Sequence, residues 1–476
     1  MVNKRRRAGV GDASHRPAGF AVAVLFPRAL RERPANISAG RSPPIRAQLI
    51  FALVGVSSGA AALVGCGGGD AGPGYADAAV LPEGGRGGSA AGAAGGRGGV
   101  FTPIVHEPMP QVLDSGGPVL AAPKVQPIMY ASDTGANDIA SFFQELTQTT
   151  FWSETTSEYG VGPLTVLPAV TLPGVAPKMV SDADLQAMVV ANTSGASPAW
   201  GASDGSTIYT FVLPAGTVQS DGNGACCTDY GGYHSETTMS AVPLPYVVAC
   251  ACSGFGGASN AINDRTIAIG HELVESATDP FPNSNPAYLF VDDDHVVWKA
   301  ITGGELADMC VLNEDAFFIP PGSKYMIQRT WSNAAALASQ EPCVPARTTA
   351  PYFNTFPALG TIVYNPGGGH AFTTKGINIP LGGSRTIPLN LFSGAPTGGT
   401  WTVRVYDSAY LKTGTPNLLL SLDKFTGQNG DTINLTISPR SSDPRLDAEA
   451  FVLFSEFGQP GTPTFQSSTM IGLVTN

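Results

Sequence analysis

The sequence predicts an α+β fold in two parts: a mixed domain built around one charged helix, then an antiparallel β-sandwich. Three observations carry that reading. In the first part, apolar residues at helical spacing alternate with short apolar runs suited to buried strands. From about residue 349 the pattern changes to strict alternation of apolar and polar residues, the period of half-buried strands. Across 476 residues, 43% hydrophobic and only 13% charged, the 58 Gly and 39 Pro require long irregular connections. Such a chain has ample material for a core, which excludes wholesale disorder.

The net charge of −11 hides a split, because residues 1–65 hold ten Lys/Arg and two Asp/Glu and the remainder is strongly acidic. An acidic body lacks the basic patch needed to neutralise phosphates, so no nucleic-acid partner is expected.

Taken in order, the first element is a leader spanning 1–65. Arg41 and Arg46 flank an apolar stretch from Leu49 that ends in Leu63-Val64-Gly65-Cys66, the layout of an export signal. That ending resembles the bacterial lipobox, whose Cys becomes the lipidated first residue of the mature protein. Cys66 is therefore the expected membrane anchor, with an ordinary secretory signal or a single membrane anchor as the alternative. Residues 1–40 exceed what such a leader needs, as a true start further downstream would explain. Residues 66–120 read as a flexible tether, with 14 Gly among residues 67–100. The expected location is the cell envelope, on the outer surface or in the periplasm, or extracellular if released; disulfides persist there. Cys226, Cys227, Cys250, Cys252, Cys310 and Cys343 supply up to three bridges, and the sequence does not choose among the pairings. A zinc site at Cys226-Cys227 and Cys250-Ala251-Cys252 is disfavoured because the two-residue spacers of zinc knuckles are missing.

The domain over 121–346 opens with a strand at 125–130. A helix is expected over 137–151, with Ile139, Phe142, Phe143, Leu146 and Phe151 on one face and Asp138 near its start. A second short helix, 181–190, opens on Ser181 and Asp182. Thr207–Leu213 and 244–249 are buried strands, and Ala261–Thr278 is the helix that carries the chemistry. Over 349–476, Trp401, Val403 and Val405 alternate with polar neighbours, as do Ile433, Leu435 and Ile437. With Leu418–Leu422, 451–454 and turns such as Gly398-Gly399, they predict the sandwich. It shows no catalytic cluster, and the glycines at 367–369 form a loop without P-loop register.

On the helical wheel of 260–280, Ile262, Ile267, Ile269, Leu273, Val274 and Ala277 make one apolar arc. The opposite arc holds Asp264, His271, Glu272, Glu275 and Asp279, and only Arg265 flanks it. Like charges at i,i+4 destabilise a helix, so a cation should offset this face. His271 and Glu275, at i and i+4, can converge on one ion. Glu272, offset by about 100°, is placed to act as general base rather than ligand. That is the geometric logic of HExxH zinc peptidases, so the domain is expected to be zincin-like, with a carboxylate in place of the second His. The extra negative charge should raise the pKa of water at the ion and weaken catalysis. A third ligand is expected from Gly304-Glu305-Leu306-Ala307-Asp308-Met309-Cys310, with Asp308 and Glu305 as candidates. Asp279 is a further candidate, although Pro280 makes it equally a helix-end residue. His234, between the cysteine pairs, is a candidate ligand or substrate contact. Asp292-Asp293-Asp294 lacks EF-hand spacing and reads as a solvated turn.

These residues resemble the EXORDIUM/phosphate-induced protein family of plants and its bacterial relatives. Gly270-His271-Glu272-Leu273-Val274-Glu275-Ser276-Ala277-Thr278-Asp279-Pro280 and the 304–310 segment carry the resemblance. Support comes from 226–234, 245–248 with Cys250 and Cys252, and 152–160, so roughly 125–345 is covered. The resemblance implies a secreted, cell-wall-associated protein linked to growth. Plant members carry Asn-Pro where this chain has Asp279-Pro280, which implies that Asp279 is not an obligatory ligand. The sandwich lies outside the resemblance.

Two functions compete with the bland reading of an acidic face that binds nothing. One is a lipid-anchored zinc peptidase acting on peptide, with Glu272 as base. The other is a non-catalytic module that binds a cell-wall or matrix polymer and uses Zn²⁺, or Ca²⁺, structurally. A Ser-based hydrolase is disfavoured because no Gly-x-Ser-x-Gly elbow stands between a strand and a helix. A monomer is expected.

Overall fold

The computed structural model describes residues 22–23 and 101–476, apart from 203–204, 221–223, 238–241, 254–259, 348–350, 367–370, 441–447, 461 and 463. Cys66, almost all of the leader, the glycine-rich tether to residue 100 and the glycines at 367–369 lie outside the described residues. Pro103–Asn476 belong to one compact unit. Among the described residues no helix is long and apolar enough to cross a membrane.

The first part is built on a mixed sheet. Strands β1 (Lys124–Tyr130), β2 (Thr207–Leu213) and β4 (Pro245–Cys250) run parallel, with β2 in the middle, and β3 (Gly232–Glu236) pairs antiparallel with β4. Thr165–Val166 and Val170–Leu172 add short parallel pairings to β1, and Val22–Ala23 lies antiparallel along the outer side of β3. Side chains alternate across this sheet. Ile208, Val212, Val247 and Ala249 face one core, and Tyr209, Phe211, Tyr246 and Val248 face another.

Helix α1 (Ala136–Leu146) buries Ile139, Phe142, Phe143 and Leu146 in the first core. It stops five residues short of the end of the helix expected over 137–151, and Phe151 instead opens a separate helix, α2 (Phe151–Thr156). The break falls at Thr147-Gln148-Thr149-Thr150, where the Thr147 and Thr149 hydroxyls donate back to the carbonyls of Gln144 and Leu146. Helix α3 (Asp182–Thr193) begins on a capping box in which the Ser181 hydroxyl accepts from Asp184 N–H while the Asp184 carboxylate accepts from Ser181. Its Leu185 and Val189 enter the second core.

Helix α4 (Ala261–Thr278) has the bounds the sequence predicts. The Asn260 side chain accepts from Asn263 N–H at 2.9 Å, and Pro280, which cannot continue the ladder, follows Asp279 at the other end. Every residue from Asn263 to Thr278 is buried. The apolar arc joins the first core, and His271, Glu272 and Glu275 pack inward too, toward Gly232 of β3 and Asp308.

The second part has two sheets. One orders β5 (Phe353–Pro357), β8 (Arg385–Ser393), β11 (Thr432–Pro439) and β10 (Leu418–Leu422). The other orders β6 (Gly360–Tyr364), β7 (Phe372–Asn378), β13 (Gln466–Thr475), β12 (Ala448–Phe457) and β9 (Trp401–Asp407), with Thr426–Gly427 at its far edge. The expected antiparallel sandwich needs one correction, since β7 and β13 pair parallel, Ile377 opposite Val474. Alternating burial in β11 turns Ile433, Leu435 and Ile437 into the same core as Val403, Phe451 and Leu453.

That core is continuous with the second core of the first part. Trp298, Met309, Leu312 and Trp331 join Tyr352, Phe353 and Leu389 in one cluster. Strand β13 is buried along nearly its whole length. Its Ser467 donates to Asp315, and its Thr469 hydroxyl donates to Asn313 at 2.6 Å. Among the described residues there are three disulfides: Cys226–Cys250, Cys227–Cys252 and Cys310–Cys343. All six candidate cysteines are therefore in bridges, which fits an oxidising compartment.

Candidate metal centre

Helix α4 sets His271 and Glu275 one turn apart, with His271 Nε2 3.0 Å from Glu275 Oε1. The segment 303–310 brings two more carboxylates. Asp308 Oδ1 lies 3.5 Å from the same nitrogen, and Asp308 N–H donates to Glu275 Oε1 at 3.2 Å. Strand β3 contributes His234, whose Nε2 lies 3.1 Å from Glu305 Oε1. Two overlapping triads result, His271/Glu275/Asp308 and His234/Glu275/Glu305, each with one ligand atom per residue within 4.8 Å of the others. Both third-ligand candidates and His234 thus meet the helix pair. Asp279 enters neither triad: its Oδ1 accepts from Ala287 N–H at 2.8 Å, the role of a helix-end residue. Asp292 accepts from Gln111 N–H and pairs with His295, while Asp293 and Asp294 are exposed at the start of a short 3₁₀ helix, Asp293–His295.

Local chain geometry holds the acids in place. Gly303 has φ +110°, and a side-chain carbon there would overlap the Asp308 carboxylate. The Cys310–Cys343 bridge anchors the far end of the segment two residues beyond Asp308. Facing α4, a side-chain carbon on Gly232 would come within 2.8 Å of the Val248 carbonyl and 3.1 Å of Glu272 Oε1. A glycine there leaves room for the Glu272 carboxylate.

Sequence reasoning missed one partner. His271 Nδ1 lies 3.0 Å from Gln328 Oε1, and the Gln328 amide donates to the Ala307 carbonyl at 2.6 Å. That second bond fixes which end of the amide is oxygen, so His271 Nδ1 is the donor to Gln328 and Nε2 is the nitrogen left facing the carboxylates. Gln328 lies 57 residues away on the strand Ile327–Gln328, a distance over which no motif signals it.

All six side chains, His234, His271, Glu272, Glu275, Glu305 and Asp308, are 0–1% exposed. Burial alone would lower both imidazole pKa values, but the surrounding carboxylates override it. Glu305, Glu275 and Glu272 push His234 up to about 10, and Glu275, Asp308 and Glu272 raise His271 well above its ordinary value. Burial, then Glu275, pushes Asp308 up to about 7, and burial raises Glu272 far above the usual carboxylate range. Glu275 is held low, burial being outweighed by His271. Protons on these groups supply positive charge among the buried carboxylates.

The donors fit a metal. Both oxygens of Glu272, Oε2 of Glu305, Oδ1 of Asp308 and Nδ1 of His234 are buried without a hydrogen-bond partner. Among the described residues no Lys or Arg pairs with these acids, because Arg265, the cation on the helix, is turned to Asp133. Mixed imidazole and carboxylate donors suit Zn²⁺ or Mn²⁺, whereas Ca²⁺ takes six to eight oxygens.

No family model matches the chain, and no curated protein matches it. Among solved structures, S-layer protein SbsC domains 4 and 5 match at 13% identity, covering 31% of this chain and 82% of that chain with a TM-score of 0.15. A structure of SbsC domains 1–6 matches at 11% identity over 33% of this chain and 25% of that chain, also at 0.15. A likeness at this level carries no argument about fold or function.

Proposed function

We propose that residues 121–346 form a zincin-like, zinc-dependent peptidase domain of an exported protein anchored by a lipid at Cys66. The observation that carries this reading is Glu272: a buried carboxylate with both oxygens unpartnered, set beside the His271/Glu275/Asp308 triad. A bound Zn²⁺ would supply a Lewis acid and lower the pKa of water beside it, less so than with fewer carboxylate ligands. The chain's own residues do the rest. Gln328 fixes the His271 tautomer, Glu275 and Asp308 fix the ligand geometry, and Glu272 takes a proton from the attacking water and delivers it to the leaving amine. The EXORDIUM-like motifs, the leader and the three disulfides support the location outside the cytoplasm.

A second reading has its own observation. Structural metal sites are closed and catalytic ones keep an open position, and here every candidate ligand is buried. That favours a structural ion in a non-catalytic module that binds a cell-wall or matrix polymer. Glu272→Gln separates the two when metal content and hydrolysis of a mixed peptide library are measured together. The peptidase reading expects metal retained and hydrolysis reduced about 100-fold or more. A wild type that holds zinc, loses stability on chelation and cleaves nothing, with Glu272→Gln behaving alike, supports the structural role and overturns the peptidase.

A further inference from the structure

We infer that the cluster is built for two divalent ions with Glu275 shared between them, one held by His271, Glu275 and Asp308 and the other by His234, Glu275 and Glu305. This deepens the metal-centre reading above and rests on it.

Geometry gives the first argument. The two triads have only Glu275 in common, and each closes within 4.8 Å. Their imidazoles come from different elements, His271 from α4 and His234 from β3, and each faces a different carboxylate, at 3.0 Å from Glu275 and 3.1 Å from Glu305. A carboxylate has two oxygens and can bridge ions about 3.5–4 Å apart, the spacing of two-metal hydrolytic sites.

Charge gives the second. Glu272, Glu275, Glu305 and Asp308 are each 0–1% exposed, and among the described residues none pairs with a Lys or Arg. Asp308 lies in one triad, Glu305 in the other and Glu275 in both, so the acids that a cation would offset occupy both halves of the cluster.

The unpartnered atoms give the third, for they lie in both halves. Asp308 Oδ1 has no hydrogen-bond partner beside His271, and Glu305 Oε2 and His234 Nδ1 have none in the other triad. A single ion in the first triad would leave the second set of atoms unsatisfied.

The test uses the full-length protein, stripped with chelator, reloaded with Zn²⁺, freed of excess metal and measured for metal-to-protein ratio by mass spectrometry. A Mn²⁺-loaded sample is read by electron paramagnetic resonance. The expected result is two zinc ions per wild-type chain, one in His234→Gln and in Glu305→Gln, and a spin-coupled manganese pair in wild type that becomes an isolated ion in Glu305→Gln. One zinc per folded wild-type chain overturns the two-ion inference and leaves the single-metal reading standing. Two zinc ions retained in both variants, with uncoupled manganese, also overturn it, because the second ion then sits elsewhere. No zinc at all overturns both readings. If the variants fail to fold, wild-type stoichiometry and spin coupling still decide.

Discussion

Gly303 does for Asp308 what no other residue can. Its φ of +110° and the Asp308 carboxylate packed against it leave no room for a side chain. Gly303→Ala is expected to cost about 1–3 kcal/mol by denaturant unfolding and, by moving a ligand, to weaken zinc binding about 10-fold or more in a metal titration. A second residue-scale prediction lies away from the cluster. Burial, then the Asp315 carboxylate, pushes Glu341 up to about 8, against partial relief from Arg329, Arg347 and the Cys343 N–H it accepts. A carboxyl raised in the fold binds its proton more tightly there than when unfolded. Its contribution is therefore favourable at pH 5 and lost as pH rises toward 8. Glu341→Gln should flatten this decline, gaining on the order of 2 kcal/mol over wild type at pH 8 and little at pH 5 in denaturant melts. Equal effects at the two pH values would refute it. The residues legible in the sequence were those whose spacing is local: His271, Glu272 and Glu275 through the helical period, and Glu305 and Asp308 through a compact acidic motif. Gln328 and Gly232 were not legible, because a lone Gln or Gly acquires its meaning only when distant segments meet.

At the scale of elements, α4 was legible to the residue because an N-cap and a proline bracket an amphipathic run. Asn260→Ala should cost about 1 kcal/mol, seen as a lower unfolding midpoint, with metal stoichiometry unchanged because the ligands lie three turns away. The split between α1 and α2 escaped a reading based on period alone. Phe151 falls in register with α1, yet Thr147 and Thr149 spend their hydroxyls on the preceding carbonyls and end the helix. Alternation likewise exposed the strands of the sandwich but not that β7 and β13 run parallel. A period of two says which face is buried and nothing about the direction of the neighbour.

At the scale of the whole molecule, a composition change near residue 349 suggested separable domains, while packing joins them through one continuous apolar cluster. Residues 103–476 are therefore expected to unfold in a single transition, with tryptophan fluorescence and near-ultraviolet circular dichroism coinciding along the denaturant axis. Two resolved transitions would contradict a shared core. Strand β13 carries one more implication. Its Ser467 and Thr469 brace Asp315 and Asn313, just beyond the segment that supplies Glu305 and Asp308. Synthesis from the amino end delivers 305–315 well before 466–475. Until that strand is made, the acidic segment is without its brace, so the cluster reaches its final shape only when the last stretch of chain is in place.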